Sequence, residues 1–144
     1  MEFRRINPEE TYSIRHRVLR PNQTLEDCKY SSDFETDSFH LGAFLDHQLI
    51  SVASFYQEVN PALSGEIQFR LRGMATLADF RDRKIGSSLF FKGLKIIRKR
   101  KSDAFWCNAR ITVSDFYQSL GMDEMGGIFD IHPIGPHKLM YMYL

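Results

Sequence analysis

The chain has 144 residues, of which 43% are hydrophobic and 26% charged, a balance that is typical of a folded globular protein and excludes a disordered chain. Its 19 basic and 18 acidic side chains nearly cancel, so no net field attracts nucleic acid or a membrane surface. We therefore expect a single domain over residues 1–144, with neither a nucleic-acid nor a membrane partner.

The cysteines, histidines and N-terminus predict where the protein resides and whether it holds a metal. Cys28 and Cys107 form no CxxC motif, which predicts reduced thiols in a cytoplasmic protein. The five histidines show neither HxxxH nor HxH spacing, so we expect no metal site. The segment Met1–Arg5 lacks the apolar core of a signal peptide.

Local patterns in the first half of the chain predict a strand, a helix and a hairpin. Asn7 and Pro8 are typical of a helix start, as N-cap and first helical residue. In chain order the patterns first predict a strand at Phe3–Ile6 and a helix from Pro8 to about Leu19, with Ile14, Val18 and Leu19 on its inner face. A helical turn at Thr24–Lys29 and a polar loop at Ser31–Thr36 follow. The strands Phe39–Phe44 and Leu49–Tyr56 then form a hairpin whose turn is at Asp46–Gln48.

The second half alternates strands and helices without a regular repeat, which predicts a mixed sheet with helices on both faces. The strand Glu66–Thr76 should place Gln68, Arg70 and Arg72 on a face that is solvated or lines a site. The remaining predictions are a helix beginning near Gly86, a strand at Ala104–Ala109, a helix from a capping box at Thr112 to Leu120, a bend at Gly126–Gly127 before Ile128–Ile131, and a closing strand at His137–Leu144.

The turn between the central strand and helix is a candidate anion site. Arg81–Gly86 is rich in basic side chains and leads into a helix N-terminus, whose unpaired N–H groups and partial positive charge favour phosphate. Gly86 lets an anion approach the backbone, and Ser87 and Ser88 add hydroxyl donors. On these residues alone an ordinary connection between a strand and a helix is the favoured interpretation.

Two motifs in the same order resemble those of the GNAT superfamily of acetyl-CoA-dependent N-acyltransferases. Arg81–Gly86 resembles motif A, with Lys84 at the position where the family usually has its first glycine. Cys107–Met122 resembles motif B, a strand followed by a helix that carries Tyr117 and ends at Leu120-Gly121. The resemblance implies an α/β fold, with a mixed, mostly antiparallel central sheet, splayed middle strands and helices on both faces.

The resemblance also implies acetyl-CoA as the co-substrate. Backbone groups of the central strand would bind its pantetheine arm, and an N–H near Met74 or Ala75 would stabilise the oxyanion. Main-chain amides from Arg83 to Ser88 would hold the pyrophosphate. The implied contacts are Met74, Ala75, Thr76, Arg81, Arg83, Lys84, Ile85, Gly86, Ser87, Ser88, Asn108 and Arg110.

Tyr117 matches the tyrosine that protonates the departing thiolate in the family. Its unperturbed pKa of about 10 is close enough to the 8.5 or so of a thiol for proton transfer, although a core tyrosine is the alternative. The general base is not identified by the sequence. Glu66, His40 and His137 are candidates, as is a base that acts through water.

The predicted activity is transfer of an acetyl group from acetyl-CoA to a primary amine of a small molecule or peptide, by direct attack. Four arginines, Arg17, Arg20, Arg70 and Arg72, either recognise a carboxylate on the acceptor or form surface ion pairs. The alternatives are a non-catalytic domain that binds coenzyme A or senses a ligand, and nucleic-acid binding through Lys92–Lys101. The sequence leaves open whether the protein forms a homodimer.

Overall fold

The computed structural model describes residues Met1–Leu144. Its strands are β1 (Glu2–Ile6), β2 (Phe39–Leu45), β3 (Gln48–Gln57), β4 (Gln68–Thr76), β5 (Ala104–Arg110), β6 (Asp123–Ile131) and β7 (Gly135–Tyr143). Its α-helices are α1 (Tyr12–Ile14), α2 (Ile85–Lys99) and α3 (Ser114–Ser119), with 3-10 turns at Pro8–Thr11, Glu26–Cys28, Ala78–Phe80 and Ile111–Val113 and a π-helical segment at Arg15–Leu19.

The strands form a sheet in the order β1-β2-β3-β4-β5-β7-β6. The pairs β1–β2, β2–β3, β5–β7 and β6–β7 are antiparallel, whereas β4 and β5 pair in parallel. The predicted α/β class with a mixed, mostly antiparallel sheet is confirmed. The chain divides into two compact units, the first comprising residues 1–57 and 71–96 and the second 58–70 and 97–144.

The first unit contains the predicted hairpin and most of the central helix. Asp46 and His47 connect β2 to β3 with φ angles of 49° and 67°, the left-handed values that a tight two-residue hairpin turn requires. Leu89 and Phe90 bury the inner face of α2. Gly93 also lies on α2, and a Cβ there would overlap the Phe55 ring. The helix therefore packs closely on β3.

The N-terminal helix is present, but it is less regular than predicted. It begins at Pro8, and the Asn7 N–H donates to the Glu10 carboxylate at 2.8 Å, as in a capping box. The run changes from 3-10 to α to π geometry along its length, although the periodicity predicted one regular helix. Arg15 is completely buried on its inner side, whereas the predicted inward residue Val18 is only half-buried.

The second unit is built on β5, which pairs with the first three residues of β4 and, along its whole length, with residues 137–143 of β7. Gln68 is buried, which corrects the prediction that this polar face of β4 is wholly solvated or lines a site. Its amide donates to the Gly65 carbonyl at 3.0 Å and accepts from the Asn60 N–H at 2.8 Å. Gln68 therefore anchors the loop that precedes β4.

One predicted feature of the C-terminal part is wrong in detail. The Thr112 capping box does not form: α3 begins at Ser114 after Val113, which makes no side-chain cap bond. The Ser114 hydroxyl donates instead to the Ile111 carbonyl at 3.1 Å. Strand β6 includes the predicted bend at Gly126–Gly127: its pairing with β7 is irregular between Met125 and Phe129, and Gly126 has a φ angle of 76°.

Candidate functional site

A glycine interrupts the regular backbone of β4 immediately before the predicted contact residues. Gly73 has a φ angle of +62°, in the left-handed region that favours glycine. A Cβ at this position would lie 3.1 Å from Arg15 Nε and 3.2 Å from Tyr30 Cε2. Both the conformation and the close packing therefore favour glycine. Sequence analysis missed this feature, although a glycine inside a strand pattern was the available signal.

The predicted contact residues at the end of β4 are held against β3. Met74 and Thr76 are half-buried, and Ala75 is buried. The Ser51 hydroxyl lies 3.1 Å from the Ala75 carbonyl and 2.7 Å from Thr76 Oγ1. The Ser51 side chain therefore ties the end of this segment to β3.

The basic turn before α2 is exposed and contains two left-handed residues. Asp82 and Lys84 have φ angles of 63° and 60°, and both side chains are solvent-exposed. An L-residue pays about 1–2 kcal/mol for this conformation, whereas glycine adopts it freely. Lys84 therefore has a backbone conformation suited to glycine, at the position where the family motif usually has one.

The first turn of α2 begins with Ile85 buried and Gly86 half-buried. The hydroxyls of Ser87 and Ser88 donate to the Lys84 carbonyl at 3.0 and 2.9 Å. They thus brace the turn in this structure, a role that the sequence analysis did not assign to them.

The two arginines of the turn are also exposed. Arg81 Nε lies 3.4 Å from the Thr76 carbonyl, which ties the turn to the end of β4. The Arg83 guanidinium lies 5.5 Å from the centre of the Phe80 ring. The turn therefore presents basic side chains beside the N-terminus of α2, a combination that suits a polyanion.

The other predicted site residues belong to the second unit. Asn108 and Arg110 lie at the end of β5, opposite Leu139 and His137 of β7. Tyr117 lies on α3 and is 9% exposed.

Burial sets the acidity of Tyr117. Burial raises the pKa of its hydroxyl well above the ordinary value, the Cys107 thiol raises it further, and the Arg110 charge lowers it in part. Burial likewise raises the pKa of Cys107 to about 12. Tyr117 therefore stays protonated at neutral pH and remains a proton donor, but its match to the pKa of a thiol is poorer than its unperturbed value suggested.

The candidate bases differ widely in their surroundings. His40 is buried, and its two ring nitrogens lie 2.7 Å from Ser54 Oγ and 3.0 Å from the Asp33 carbonyl. Burial lowers its pKa. Because both ring nitrogens are engaged, His40 acts as a structural residue. His137 Nδ1 lies 2.7 Å from the Gly135 carbonyl, and Glu66 is exposed before β4.

A buried ion pair lies behind Gly73. Arg15 binds both carboxylate oxygens of Asp33, at 2.8 and 3.0 Å, and neither side chain is exposed. Tyr56 donates to the same carboxylate at 2.5 Å, and the Tyr30 N–H at 3.0 Å. Sequence analysis missed this network because a single arginine in a helical pattern indicates a solvated face.

The four arginines proposed for the acceptor occupy three different environments. Arg70 binds Glu58 at 3.1 Å and lies 4.9 Å from the Trp106 ring, so it forms an ion pair. Arg17 is exposed. Arg20 and Arg72 both lie over the ring of Tyr30.

Neither a metal cluster nor a membrane-spanning helix is found. No group of three or more His, Cys, Asp or Glu side chains is arranged to hold a metal ion. None of the helices combines the length and the apolar character needed to cross a membrane.

Solved structures with low sequence identity have the same fold. The fold resembles that of Escherichia coli ElaA, with a TM-score of 0.78, 18% identity, and 98% of this chain and 99% of that chain covered. It also resembles an aminoglycoside 6'-N-acetyltransferase complexed with coenzyme A, with a TM-score of 0.77, 10% identity, and 99% and 97% covered.

A sequence relative then establishes the family. The chain is 47% identical over 144 residues to the uncharacterized N-acetyltransferase YitI of Bacillus subtilis (strain 168), covering all of this chain and 97% of that protein. No protein-family model matches the chain. The chain belongs to the GNAT superfamily of N-acetyltransferases and is an acyltransferase. The resemblance found in the two sequence motifs is thus confirmed.

Proposed function

We propose that this enzyme transfers an acetyl group from acetyl-CoA to a primary amine of a small molecule or peptide. The observation that carries the proposal is the exposed basic turn at the start of α2, in which Lys84 has a φ angle of +60°. Residues 1–144 act as one catalytic domain in this proposal, which is supported by the full-length match to YitI.

The main-chain N–H groups and basic side chains of the turn suit the pyrophosphate of coenzyme A. Main-chain amides from Arg83 to Ser87 lie at the start of a 15-residue helix, whose N-terminal dipole favours an anion, whereas the Ser88 N–H is not available because it donates to the Lys84 carbonyl at 3.1 Å. Arg81, Arg83 and Lys84 add positive charge. Asn108 and Arg110, at the end of β5, contact the same co-substrate in this proposal.

The chemistry is a direct acyl transfer. The neutral amine attacks the thioester carbonyl carbon, and the carbonyl oxygen becomes an oxyanion that the N–H of Met74 or Ala75 stabilises. As the tetrahedral intermediate collapses, the C–N bond remains and the C–S bond breaks. The attacking nitrogen loses one proton to Glu66, to His137 or to water; His40 is the weakest candidate, because both of its ring nitrogens are engaged. A proton from solvent then restores the Tyr117 hydroxyl after it has protonated the thiolate.

Tyr117 supplies the proton that the departing thiolate takes up. Its buried hydroxyl keeps its proton over the whole neutral range, because burial raises its pKa. A positioned general acid contributes about 10²- to 10⁴-fold to a rate. We therefore expect Tyr117→Phe to lower kcat by this order while the KM for acetyl-CoA stays the same.

The test measures release of free thiol from acetyl-CoA over a panel of amines. Tyr143→Phe is the matched control, because this hydroxyl is half-exposed and only accepts a bond from the Ser64 N–H at 3.2 Å. Binding of coenzyme A by calorimetry without amine-dependent thiol would overturn the proposed transfer. If Tyr117→Phe and Tyr143→Phe have the same kcat, Tyr117 is not the general acid of the reaction.

A further inference from the structure

The guanidinium of Arg15 is held in one orientation inside the first unit. Its two terminal nitrogens donate to five oxygens at 2.8–3.1 Å, namely the Cys28 carbonyl, both carboxylate oxygens of Asp33 and the hydroxyls of Ser54 and Tyr56. The first three oxygens precede β2 in the chain, whereas the two hydroxyls lie on β3. Because a guanidinium is planar and its donors have fixed directions, bonds to two separate segments allow Arg15 little rotation.

The remaining nitrogen of this guanidinium lies against Gly73 of β4. Arg15 Nε is buried and has no hydrogen-bond partner. A Cβ at Gly73 would lie 3.1 Å from this nitrogen and 3.2 Å from Tyr30 Cε2. The guanidinium carbon in turn lies 4.0 Å from the centre of the Tyr30 ring, so that the two groups stack. Arg15 and Tyr30 therefore form a packed pair, and Gly73 packs closely on both members.

Gly73 needs a restraint of this kind, because its own backbone does not define its conformation. A glycine adopts positive and negative φ angles about equally readily, so nothing intrinsic to Gly73 holds its φ at +62° inside a strand. Arg15 and Tyr30 occupy the side to which a Cβ would point. Their positions therefore limit the rotation of the Gly73 backbone.

The conformation of Gly73 sets the direction of the N–H group that follows it. A peptide unit is planar, so the ψ angle of Gly73 turns the whole plane that contains the Met74 N–H. The Ala75 N–H follows one residue later on the same segment. A donor stabilises an oxyanion when it lies about 2.7–3.1 Å away, so a small rotation at Gly73 changes this interaction.

We propose that Arg15 is a positioning residue of the transfer reaction: its bonds to Asp33 and β3 fix Gly73, and Gly73 sets the direction of the main-chain N–H that stabilises the oxyanion. The inference rests on the proposed acetyl transfer. Arg15 does not contact the substrate in this proposal, since its side chain is completely buried. Its removal should therefore lower kcat, which depends on the oxyanion, and leave binding of the coenzyme unchanged.

The test frees Gly73 without leaving a buried charge. Arg15→Met combined with Asp33→Asn removes both charges of the ion pair, and the amide oxygen that replaces the carboxylate can still accept from Tyr56. Methionine is long enough to reach the position of Nε, but it makes none of the five hydrogen bonds that hold the arginine there. A misplacement of about 1 Å can cost roughly 10²-fold in rate, so we expect kcat for thiol release to fall about 10- to 100-fold. The KM for acetyl-CoA and the Kd of coenzyme A, measured by calorimetry, should stay the same.

Gly93→Ala is the control for a loss of stability alone. Its Cβ overlaps the Phe55 ring in the same unit, but Phe55 points to the face of β3 opposite to that of Ser54 and Tyr56. Its kcat should equal that of wild type at a temperature at which thermal melting shows every variant to be folded. If kcat falls equally in this control and in the double variant, Arg15 affects the rate only through stability, and the inference is wrong.

A second readout needs no catalysis. In amide NMR spectra the resonances of Met74 and Ala75 should shift in the double variant and stay in place in Gly93→Ala. If the double variant does not fold, Tyr56→Phe replaces it, because this change removes one hydroxyl that bonds to both Arg15 and Asp33. One hydrogen bond corresponds to a factor of about 2 to 10, so kcat should fall by that factor while the KM for acetyl-CoA is unchanged.

The outcomes separate the inference from the function on which it rests. If the folded variant has the kcat of wild type, if only its KM changes, or if the amide resonances of Met74 and Ala75 do not shift, Arg15 is not a positioning residue while the acetyl transfer stands. If no amine of any kind causes thiol release by wild type, the proposed transfer itself is wrong, and the NMR comparison still tests whether Arg15 fixes this segment.

Discussion

The buried ion pair between Arg15 and Asp33 predicts a large loss of stability when the carboxylate is removed. In Asp33→Asn the side chain keeps its size, but the guanidinium of Arg15 loses its counter-ion inside the protein. Tyr56 and the Tyr30 N–H also lose the charged acceptor to which they donate. The variant therefore leaves a buried positive charge without compensation.

Breaking a buried pair by removing one partner costs about 3–5 kcal/mol, whereas an exposed pair contributes about 0–1 kcal/mol. A domain of this size has a free energy of unfolding of about 5–15 kcal/mol, so the expected loss is a large part of the total. With roughly 3 °C per kcal/mol, the melting temperature should fall by about 10–15 °C.

The assay is urea unfolding followed by far-ultraviolet circular dichroism, with thermal melting as the second measurement. Glu124→Gln is the control, because Lys138 contacts Glu124 at 2.7 Å, about the same distance, on the surface. This variant should lose less than about 1 kcal/mol. A loss in Asp33→Asn no larger than that of the control would refute the argument from burial.

The pH dependence gives the same prediction an independent test. Burial alone would raise the pKa of Asp33, but hydrogen bonds from Arg15 and Tyr56 outweigh it and lower that pKa. A carboxyl with a lowered folded-state pKa adds stability above its unfolded pKa of about 3.9, and this stability disappears as the pH falls through the folded value. The difference between wild type and Asp33→Asn should be constant above about pH 5 and shrink below pH 4.

Two further predictions concern other positions of the first unit and the basic turn. Gly93→Ala should destabilise the protein, because the overlap of the new Cβ with the Phe55 ring costs about 1–3 kcal/mol, against a gain of about 1 kcal/mol in helix propensity. Gly127→Ala is the control, because a Cβ at that position meets no atom within 4 Å. Equal midpoints of urea unfolding for the two variants would contradict the close packing of α2 on β3. Lys84→Gly should be about 0.5–1 kcal/mol more stable than Lys84→Ala, because only glycine relieves the strain of the left-handed backbone conformation. Both variants should raise the KM for acetyl-CoA by the same factor, because both remove the lysine charge. Equal stability of the two variants would mean that the turn is not strained.

Local sequence patterns were sufficient for the elements that carry the family motifs. Alternation predicted β4, helical spacing predicted α2, and the hairpin turn at Asp46 was predicted from its flanking strands. The two motifs are sufficient to predict the family, which the 47% identity to YitI confirms. In each case the determining residues are close neighbours in the sequence, so a short window contains the physical cause.

The features that were missed depend on partners distant in the sequence. Arg15 is buried because Asp33, 18 residues later, and Tyr56, 41 residues later, bind it. His40 looked like a candidate base because an isolated histidine can titrate near neutral pH, yet its neighbours in the fold engage both nitrogens. No window of helical or strand length contains these pairs.

The location of the ion pair indicates why a costly interaction lies in this core. Hydrophobic residues of the same volume often stabilise a protein as well as a buried ion pair does, so stability alone does not explain Arg15 and Asp33. Their bonds are directional, however, and they fix Tyr30 and the backbone at Gly73, on which Arg15 and Tyr30 pack. In the proposed reaction Gly73 directly precedes the main-chain N–H groups of Met74 and Ala75, one of which stabilises the oxyanion. A rigid polar network packed against Gly73 is consistent with a role in positioning this segment, because an apolar cluster of equal volume would not impose the same orientation.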